Sequence, residues 1–484
     1  MHVAPVLHFL SLVIMLFAGC MLLPLAVSVG FVDAAQHAYF EAVPGTFACG
    51  AVMWAATRKR ARELHARDGF LLVALVWTVL PAFAAWPLLR HLPGISFTDA
   101  YFEAVAGLTA TGATVLSGLD ALPPSINFWR CFLQWLAGMG VLVLAVAILP
   151  LLGVGGRQLL MAEFPGPMKD TKLTPRITET AKALWSVYVG LTVACGVAYR
   201  WAGMPWLDAV MHSFSTIGLG GFSSHDASLG HFRSGRVEAV AVVFMLVAGL
   251  NFATHFTALH QRSLSPYRRD PEAVPFLLVA LLSAVLVALY LLDFGTYPDA
   301  LTALRFALFN VVSIATTTGY ATADFAAWPF FAPLLMLFLC SFCSCSGSTG
   351  GGIKMVRAQV MFLQTVRELT RNVHPRAIVP LKLGGRTVDN NIVFAVLAFM
   401  LVYGGAITAM TMVLVLSGVD FITAYSAVVA CINNTGPGLN LVGPGRGFQV
   451  LSDFQTWVCC FAMLLGRLEL FTLLVVMTPA FWRK

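Results

Sequence analysis

Long runs of apolar residues dominate the chain, and shorter polar segments separate them. Roughly 20 apolar residues span a bilayer as a helix. An outer-membrane barrel is disfavoured because its strands alternate polar and apolar residues. The pattern therefore predicts an all-α polytopic membrane protein with about ten transmembrane helices, at 5–32, 39–57, 69–90, 127–152, 180–202, 235–261, 272–295, 329–346, 388–417 and 453–481.

Composition supports this prediction. Of the 484 residues, 58% are hydrophobic and 11% are charged, and the mean hydropathy is +0.81. Soluble domains carry about 25% charged residues, so this chain has too little charge to cover its apolar surface in water. The ten cysteines lie mostly inside apolar runs, where a free thiol behaves as a small hydrophobic group, and we predict no disulfide framework.

The distribution of lysine and arginine predicts the orientation of the spans. If the N-terminus is cytoplasmic, 22 of the 30 basic residues fall on cytoplasmic segments and seven on external ones. The remaining one, Arg467, lies within the last apolar run. Because basic residues concentrate on the cytoplasmic side, both termini are predicted to be cytoplasmic, and the net charge of +7 reflects insertion rather than nucleic-acid binding.

Four external connections, 91–126, 203–234, 296–328 and 418–452, share one pattern. Each begins polar, turns apolar and then ends in a short segment of threonine and glycine. We call these stretches the glycine segments: 109–114, 218–223, 316–321 and 433–438. One glycine from each, Gly112, Gly221, Gly319 and Gly436, gives spacings of 109, 98 and 117 residues. A recurrence of this kind indicates an internal repeat.

The apolar part of each connection is too short to cross a membrane but long enough for a half-helix that stops midway. An aspartate stands near each start and suits a helix N-terminus: Asp99, Asp208, Asp299 and Asp420. Four half-helices around one axis would direct their partly negative C-termini, and the carbonyls that follow, at a small cation. Thr111, Thr318 and Thr435 can add further oxygen atoms. The alternative is that these segments are ordinary external turns.

Residues 340–354 combine four glycines with four serines and three cysteines. Glycine costs about 1 kcal/mol in a helix interior, so this stretch should break the eighth span and form a loop below the pore. We expect a gate there, hinged at Gly347, Gly350, Gly351 and Gly352. Two alternatives are a helix end at the cytoplasmic surface and a metal site at Cys340, Cys343 and Cys345.

Arg467 is a charge in an otherwise apolar run, and such a charge indicates a functional position by default. We expect it to face the permeation path as part of the gate, and the alternative is a structural ion pair with another span. Asp120, Asp226 and Asp324 follow Gly112, Gly221 and Gly319 and either concentrate cations at an external mouth or are solvated loop charges. His212 and Asn310 are expected to pack and hydrogen-bond.

Five stretches of this sequence are distinctive as a set: TATGAT, STIGLGGFSSHDAS, TTTGYATADF, NNTGPGLNLVGP and GRLELFT. Together they resemble the Trk/Ktr/HKT superfamily of potassium transport proteins, and the likeness is closest to the Trk-type pore subunits. The resemblance implies one pseudo-fourfold pore per chain, with potassium held by backbone carbonyls. The residues that match the family's pore are Thr111, Gly112, Gly220, Gly221, Thr318, Gly319, Thr435 and Gly436.

The resemblance also implies potassium as the transported ion, a bacterial inner-membrane location and a homodimer. It implies a cytosolic TrkA-like regulatory subunit that binds NAD(H) and ATP, since the chain itself has no nucleotide-binding motif. The segment between Lys354 and Arg386 has seven basic residues and one acidic residue. No organic cofactor and no nucleic-acid partner are expected.

The predicted organisation is two N-terminal helices followed by four pore repeats. The boundaries are 1–68 for the N-terminal pair, then 69–179, 180–271, 272–387 with the gate loop, and 388–484. Two functional alternatives stay open. A proton- or sodium-coupled symporter would need a titratable relay in the membrane, and a membrane-embedded enzyme would need convergent histidine and carboxylate clusters, such as H-E-x-x-H.

Overall fold

The computed structural model describes residues 3–60, 64–148 and 177–483. Most residues in these ranges are α-helical and few are in strands, which confirms the predicted all-α class. A single two-stranded antiparallel hairpin occurs in the described residues, where Lys382–Leu383 (β1) pairs with Arg386–Thr387 (β2). The basic positions between 149 and 176 that helped to predict the orientation lie outside the described residues.

Three helices begin the chain: α1 (Val3–Cys20), α2 (Leu22–Phe31) and α3 (Gln36–Thr57). α1 packs along α3, and α2 reaches the helix that starts at Pro124. The Asp33 carboxylate accepts a hydrogen bond from the backbone N–H of Ser125 over 3.0 Å. The Tyr39 hydroxyl donates to the Ser125 carbonyl, also over 3.0 Å. These bonds attach the N-terminal helices to the body of the protein.

The chain then repeats one order of elements four times: an apolar helix, a short half-helix, a glycine segment and a second helix. The first set is α4 (Ala66–Ala84), α5 (Trp86–His91), α6 (Phe97–Leu108) and α7 (Pro124–Ile148). The second is α8 (Ile177–Trp201), α9 (Trp206–Gly218), α10 (Gly235–Ala248) and α11 (Phe252–Gln261), followed by α12 (Ser265–Arg269). The third is α13 (Ala273–Asp293), α14 (Ala300–Ala315), α15 (Phe331–Phe342) and α16 (Met355–Val373). The fourth is α17 (Asn390–Leu416), α18 (Phe421–Ile432), α19 (Asp453–Arg467), α20 (Phe471–Met477) and α21 (Pro479–Trp482).

The half-helices α6, α9, α14 and α18 contain 12, 13, 16 and 12 residues. At a rise of 1.5 Å per residue they are about 18–24 Å long, which is less than the thickness of a bilayer core of about 30 Å. Their C-terminal halves are largely buried, and ten of the twelve residues of α6 are buried. Their lengths and burial agree with helices that enter the protein and stop inside it.

The expected aspartate caps are present in two of the four half-helices. Asp299 and Asp420 are N-caps whose carboxylates accept backbone N–H bonds over 2.8 and 3.0 Å. In α6, however, Ser96 is the cap, and Asp99 lies in the first turn. In α9 the cap position is Pro205, and Asp208 again lies in the first turn. All four carboxylates therefore lie near the positive end of a helix, but two do so without capping it.

The outer helices are apolar on both sides. In α13, Ala280, Ala284 and Val287 are fully buried, whereas Leu282 and Leu289 are 65% and 60% exposed. A helix that is apolar all round suits a position between a protein interior and lipid. By length and composition, five helical stretches among the described residues can cross a membrane alone.

The count rises to seven when two bent pairs are each taken as one span. α10 and α11 meet at 94°, and α19 and α20 meet at 116°. The apolar run 453–481 is thus not one continuous helix, because α19 ends at Arg467 and the backbone turns through positive φ at Glu469 and Leu470. Arg467 accordingly stands at the end of a helix and not within one.

Candidate functional site

The four glycine segments meet in a closed ring. We call Gly112, Gly221, Gly319 and Gly436 the ring glycines. Each is so close to the next segment that an added Cβ atom would overlap a backbone carbonyl there. The contacts run round the ring, with each glycine followed by the residue whose carbonyl it meets: Gly112 with Gly220, Gly221 with Thr318, Gly319 with Thr435, and Gly436 with Thr111. All eight residues predicted for the site therefore lie together, and each carbonyl stands at the junction between two repeats.

The same backbone conformation recurs in every segment. The four ring glycines have φ between +79° and +93°. The residue two positions before each glycine also has a positive φ, between +51° and +62°: Ala110, Leu219, Thr317 and Asn434. Glycine adopts positive φ without steric cost, whereas a side chain at these four positions would add strain to the overlap described above. This repetition supports the internal repeat inferred from the sequence.

One N–H group in each glycine segment is bonded within its own repeat. The residue before each ring glycine donates its N–H to the carbonyl five positions earlier, near the end of the half-helix, over 2.8–2.9 Å. The accepting residues are Ala106, Ser215, Ser313 and Ala430. With these N–H groups satisfied, the carbonyls of Thr111, Gly220, Thr318 and Thr435 stand at the junctions between repeats.

The second segment differs from the others because Gly220 stands where the others have threonine. The buried side chain of Gln134, from α7, fills the space that a side chain at Gly220 would occupy. Its amide nitrogen donates to the Gly220 carbonyl over 2.7 Å, and its amide oxygen accepts from the N–H of Phe222 over 2.9 Å. Gln134 thus supports this segment from outside, a role that the sequence alone did not indicate.

Three polar side chains lie nine residues before their ring glycines, on successive half-helices. Glu103 accepts from Thr114 and from the N–H of Val115, His212 bonds the Ser223 hydroxyl over 2.9 Å, and Asn310 donates to Thr322 over 3.0 Å. In the fourth repeat Ser426, ten residues before its glycine, accepts from the N–H of Leu439. His212 and Asn310 therefore pack and hydrogen-bond as expected. Glu103 was missed, although its spacing matches theirs.

A buried ion pair within the first repeat lies beside the ring and contacts the second repeat. Glu103 and Arg130 are both 1% exposed, and their charged atoms approach to 2.7 Å. Arg130 also donates to the Ser223 carbonyl over 3.0 Å and lies over the ring of Phe222. Additional hydrogen bonds of this kind help to offset the free-energy cost of removing the two charges from water. The pair fixes the ends of two glycine segments at once.

A cavity lies directly against the ring on the side of the residues that follow the glycine segments, and we call it the outer cavity. All four ring glycines line it, together with Arg130, His225, Asp226 and Arg446. Of the three aspartates predicted for a mouth, Asp226 lines this cavity, and its carboxylate also accepts from the N–H of Leu119. Asp324 instead caps a short 3₁₀ helix by accepting from the N–H of Ala326.

Asp120 forms an ion pair with His225 at the edge of this cavity. Partial burial acts to raise the pKa of the Asp120 carboxyl, but hydrogen bonds from His225 and from the N–H of Asp226 outweigh it and hold that pKa below its ordinary value. Burial acts to lower the pKa of His225, but bonds to Asp208 and Asp120 outweigh it and raise that pKa. The two shifts favour the charged forms of both partners.

The stretch rich in cysteine, serine and glycine interrupts a helix, as predicted. α15 ends at Phe342 and α16 begins at Met355, and the residues between them, the 343–354 loop, are not helical. Gly347 and Gly352 adopt φ of +73° and +80°. Cys340, Cys343 and Cys345 are buried free thiols.

The 343–354 loop contacts the inner ends of three half-helices. Thr349 donates to the carbonyl of Ile217 over 2.9 Å, and the N–H of Gly351 donates to the Thr317 hydroxyl over 2.7 Å. A Cβ atom on Gly351 would overlap the Asn433 carbonyl. The loop thus lies against the side of the ring opposite to the outer cavity.

An inner cavity of about 100 Å³ separates the loop from neighbouring helices. One water needs about 10–15 Å³ by this measure, so the space suits several water molecules or a partly hydrated ion. Gly347–Gly352, Lys354, Asn434 and Arg467 line it. Arg467 donates to the Thr349 carbonyl over 3.4 Å and to the Ala137 carbonyl. Arg467 and the predicted hinge glycines therefore share one cavity.

Comparison with known proteins identifies relatives along the whole chain. Residues 35–484 match the TrkH family, described as a cation transport protein. The Trk system potassium uptake protein TrkH of Salmonella typhimurium is 46% identical over 485 residues, which covers 100% of both chains. TrkG of Escherichia coli K12, also named a Trk system potassium uptake protein, is 37% identical over 486 residues, which covers 100% of this chain and 99% of TrkG.

A solved structure matches equally fully. The crystal structure of the potassium transporter TrkH from Vibrio parahaemolyticus aligns with a TM-score of 0.90 at 44% sequence identity, and the alignment covers 100% of both chains. These relatives are named as transport proteins and not as enzymes, which confirms the expectation of a non-enzyme. The family resemblance drawn from the glycine segments is likewise confirmed: the chain belongs to the TrkH family of cation transport proteins.

Proposed function

We propose that this protein takes up potassium across the cytoplasmic membrane through a cation-selective pore lined by the backbone carbonyls of the four glycine segments. The single observation that carries the proposal is the closed ring, in which each ring glycine meets a carbonyl of the next repeat. The relatives named above as potassium uptake proteins support potassium as the transported ion.

The chemistry of the ring suits a dehydrated monovalent cation. Carbonyl oxygens can replace its hydration shell, and the C-terminal ends of four half-helices add partial negative charge. The ion-facing carbonyls are those of the eight predicted residues: Thr111, Gly112, Gly220, Gly221, Thr318, Gly319, Thr435 and Gly436. Only Thr318–Tyr320 resembles the Thr-Val-Gly-Tyr-Gly filter of potassium channels. Rubidium and caesium should therefore pass, and discrimination against sodium should be weaker than in those channels.

The 343–354 loop is the gate in this proposal. Its contacts with Ile217, Thr317 and Asn433 support a closed position beneath the ring. Gly347, Gly350, Gly351 and Gly352 would allow the loop to leave this position, and Arg467 would hold it and add an electrostatic barrier. A short glycine-rich loop suits this role because only a few backbone bonds need to change.

A regulatory partner would act on this loop from the cytoplasm. α16 follows the loop directly and bears a stripe of exposed apolar side chains, formed by Phe362, Val366, Leu369 and Val373. This stripe supports a contact with a TrkA-like subunit that binds NAD(H) and ATP. The family resemblance adds a homodimer in the bacterial inner membrane, and the distribution of basic residues supports cytoplasmic termini.

Channel-like conduction is favoured over proton- or sodium-coupled symport. A symporter needs a titratable group free to change its charge in the pathway, and the carboxylate of Glu103 beside the ring is instead bonded to Arg130, Thr114 and Val115. The test is ⁸⁶Rb⁺ uptake into proteoliposomes loaded with potassium. We expect uptake that external potassium suppresses and that imposed proton or sodium gradients do not change. Absence of rubidium uptake by folded protein would reject the proposal, and a gradient dependence would favour symport.

A further inference from the structure

We propose that Asp120, His225 and His231 form an external binding site for Zn²⁺ or a similar transition-metal ion, and that its occupancy lowers cation uptake. The regulatory part rests on the proposed function, whereas the binding part does not. Within the described residues these three side chains are the one His, Cys, Asp or Glu group whose ligand atoms all lie within 4.8 Å of one another.

The distances fit a metal after a small adjustment. The Asp120 Oδ1 atom lies 2.5 Å from His225 Nδ1 and 3.7 Å from His231 Nδ1. Ligands about 2.1 Å from a tetrahedral Zn²⁺ are separated by about 3.4 Å, a value between these two. The imidazole rings are stacked with centroids 3.6 Å apart and planes 4° from parallel, so binding requires them to splay. The side chain of His231 is 45% exposed and has room to move.

A second carboxylate supports the site from behind. Asp208 Oδ1 lies 3.6 Å from His225 Nε2, the nitrogen opposite to the one that faces Asp120. Metal-binding histidines usually direct their second ring nitrogen at a carboxylate, which sets the ring orientation and strengthens the ligand. Ser224 donates to the same Asp208 oxygen over 2.7 Å and fixes it in place. His225 therefore has a carboxylate beside its second ring nitrogen, as metal-binding histidines usually do.

The chemistry of the donors selects the ion. Two imidazole nitrogens and one carboxylate suit Zn²⁺, Ni²⁺ or Cu²⁺, whereas Mg²⁺ prefers six oxygen ligands. Three protein ligands leave a coordination position for water, unlike the four protein ligands of structural zinc sites. The proposed occupant is thus an ion that comes and goes with its external concentration.

The location gives the ion an effect on transport. His225 lines the outer cavity together with all four ring glycines. A bound divalent cation at this edge opposes the accumulation of potassium in the mouth. It also ties the external loop of the first repeat, through Asp120, to that of the second repeat, through His225 and His231. Both effects reduce uptake.

Zinc binding and rubidium uptake test the proposal together. Calorimetry with Zn²⁺ on purified full-length protein should show a site that His231→Ala and Asp120→Asn each weaken by about tenfold or more. In proteoliposomes with Zn²⁺ on both sides, ⁸⁶Rb⁺ uptake by the unaltered protein should fall by about threefold or more. Uptake by His231→Ala should be normal without Zn²⁺ and resistant to it. The control His37→Ala, at an exposed histidine in the first turn of α3, should remain sensitive, and Mg²⁺ should have no effect.

Equal zinc affinity in His231→Ala, Asp120→Asn and unaltered protein would overturn the site. Loss of binding in these variants without any zinc effect on uptake would overturn the regulatory role. Absence of rubidium uptake before Zn²⁺ is added would count against the proposed function, and calorimetry would still decide whether the metal site exists.

Discussion

The guanidinium of Arg467 donates a hydrogen bond to the backbone carbonyl of Thr349 over 3.4 Å. This contact joins the end of α19, in the fourth repeat, to the 343–354 loop of the third. A second bond from Arg467 reaches the carbonyl of Ala137 in the first repeat. One side chain thus links the loop to two other quarters of the protein, and its charge lies in the cavity beneath the glycine ring.

Replacing Arg467 should release the loop. A hydrogen bond from a charged donor contributes about 1.5–3 kcal/mol, so Arg467→Ala should increase basal ⁸⁶Rb⁺ flux by about tenfold or more. The basal flux of Arg467→Lys should lie between those of the unaltered protein and Arg467→Ala, because lysine keeps the charge but lacks the planar fork of arginine. Unchanged flux in an Arg467→Ala protein of normal thermal stability would show that the arginine is structural only.

Gly351 offers a second way to disturb the gate. Its Cα faces the Asn433 carbonyl so closely that a methyl group cannot fit in the closed position. Overpacking of this kind costs about 1–3 kcal/mol, so Gly351→Ala should favour the open loop and raise basal flux by about tenfold. Gly405→Ala, where an added Cβ meets nothing within 4 Å, is the matched control. Removal of residues 347–352 should raise the flux further. If Gly351→Ala and the deletion variant both fold but conduct no more than Gly405→Ala, the loop is not the gate.

The Gln134 side chain occupies the space that a side chain at position 220 would need. Changing both residues together should therefore restore part of the transport that either single change impairs. Gly220→Thr alone should reduce rubidium flux, because the new side chain meets the Gln134 amide. Gln134→Ala alone should weaken discrimination against sodium, since the second segment loses two hydrogen bonds. The double variant should recover part of both properties. The rubidium and sodium fluxes of the two single variants and the double variant test this prediction. Strictly additive defects would mean that the two residues do not share a site.

The buried pair Glu103–Arg130 should be sensitive to the loss of one partner. Arg130→Met leaves an uncompensated carboxylate and should destabilise the protein by about 3–5 kcal/mol. Glu103→Gln combined with Arg130→Met removes both charges and should be milder. Thermal unfolding in detergent, followed by the loss of monodisperse protein, compares them. A double variant that is as unstable as Arg130→Met would indicate that packing, and not charge, dominates here.

The repeated elements were predictable from sequence, because hydropathy and the recurrence of glycine are local signals. Gly112, Gly221, Gly319 and Gly436 stand out by spacing alone, and the geometry that requires glycine is the same at each. The break after Arg467 was not predictable, because the apolar run continues through it.

The supporting contacts were harder to predict. The nine-residue spacing of Glu103, His212 and Asn310 was visible, but their partners lie on segments that only the fold brings near. The role of Gln134 likewise depends on a contact between α7 and the second glycine segment, 86 residues away along the chain. Asp99 and Asp208 show the limit of capping rules, because a nearby Ser96 or Pro205 takes the cap position.

The central claim is that the ring of glycines and carbonyls is the path of the ion. Each ring glycine combines a positive φ with a carbonyl that leaves no room for a side chain. A serine there costs about 1–3 kcal/mol in backbone strain and displaces the neighbouring carbonyl. The matched control is Gly190→Ser, at an exposed helical glycine with nothing within 4 Å of an added Cβ.

The most direct test compares ⁸⁶Rb⁺ and ²²Na⁺ fluxes in proteoliposomes that contain Gly112→Ser, Gly319→Ser, Gly190→Ser or unaltered protein. The account predicts that both ring variants lose rubidium flux or admit sodium, whereas Gly190→Ser matches the unaltered protein. Unchanged rubidium flux and unchanged exclusion of sodium in both folded ring variants would contradict it.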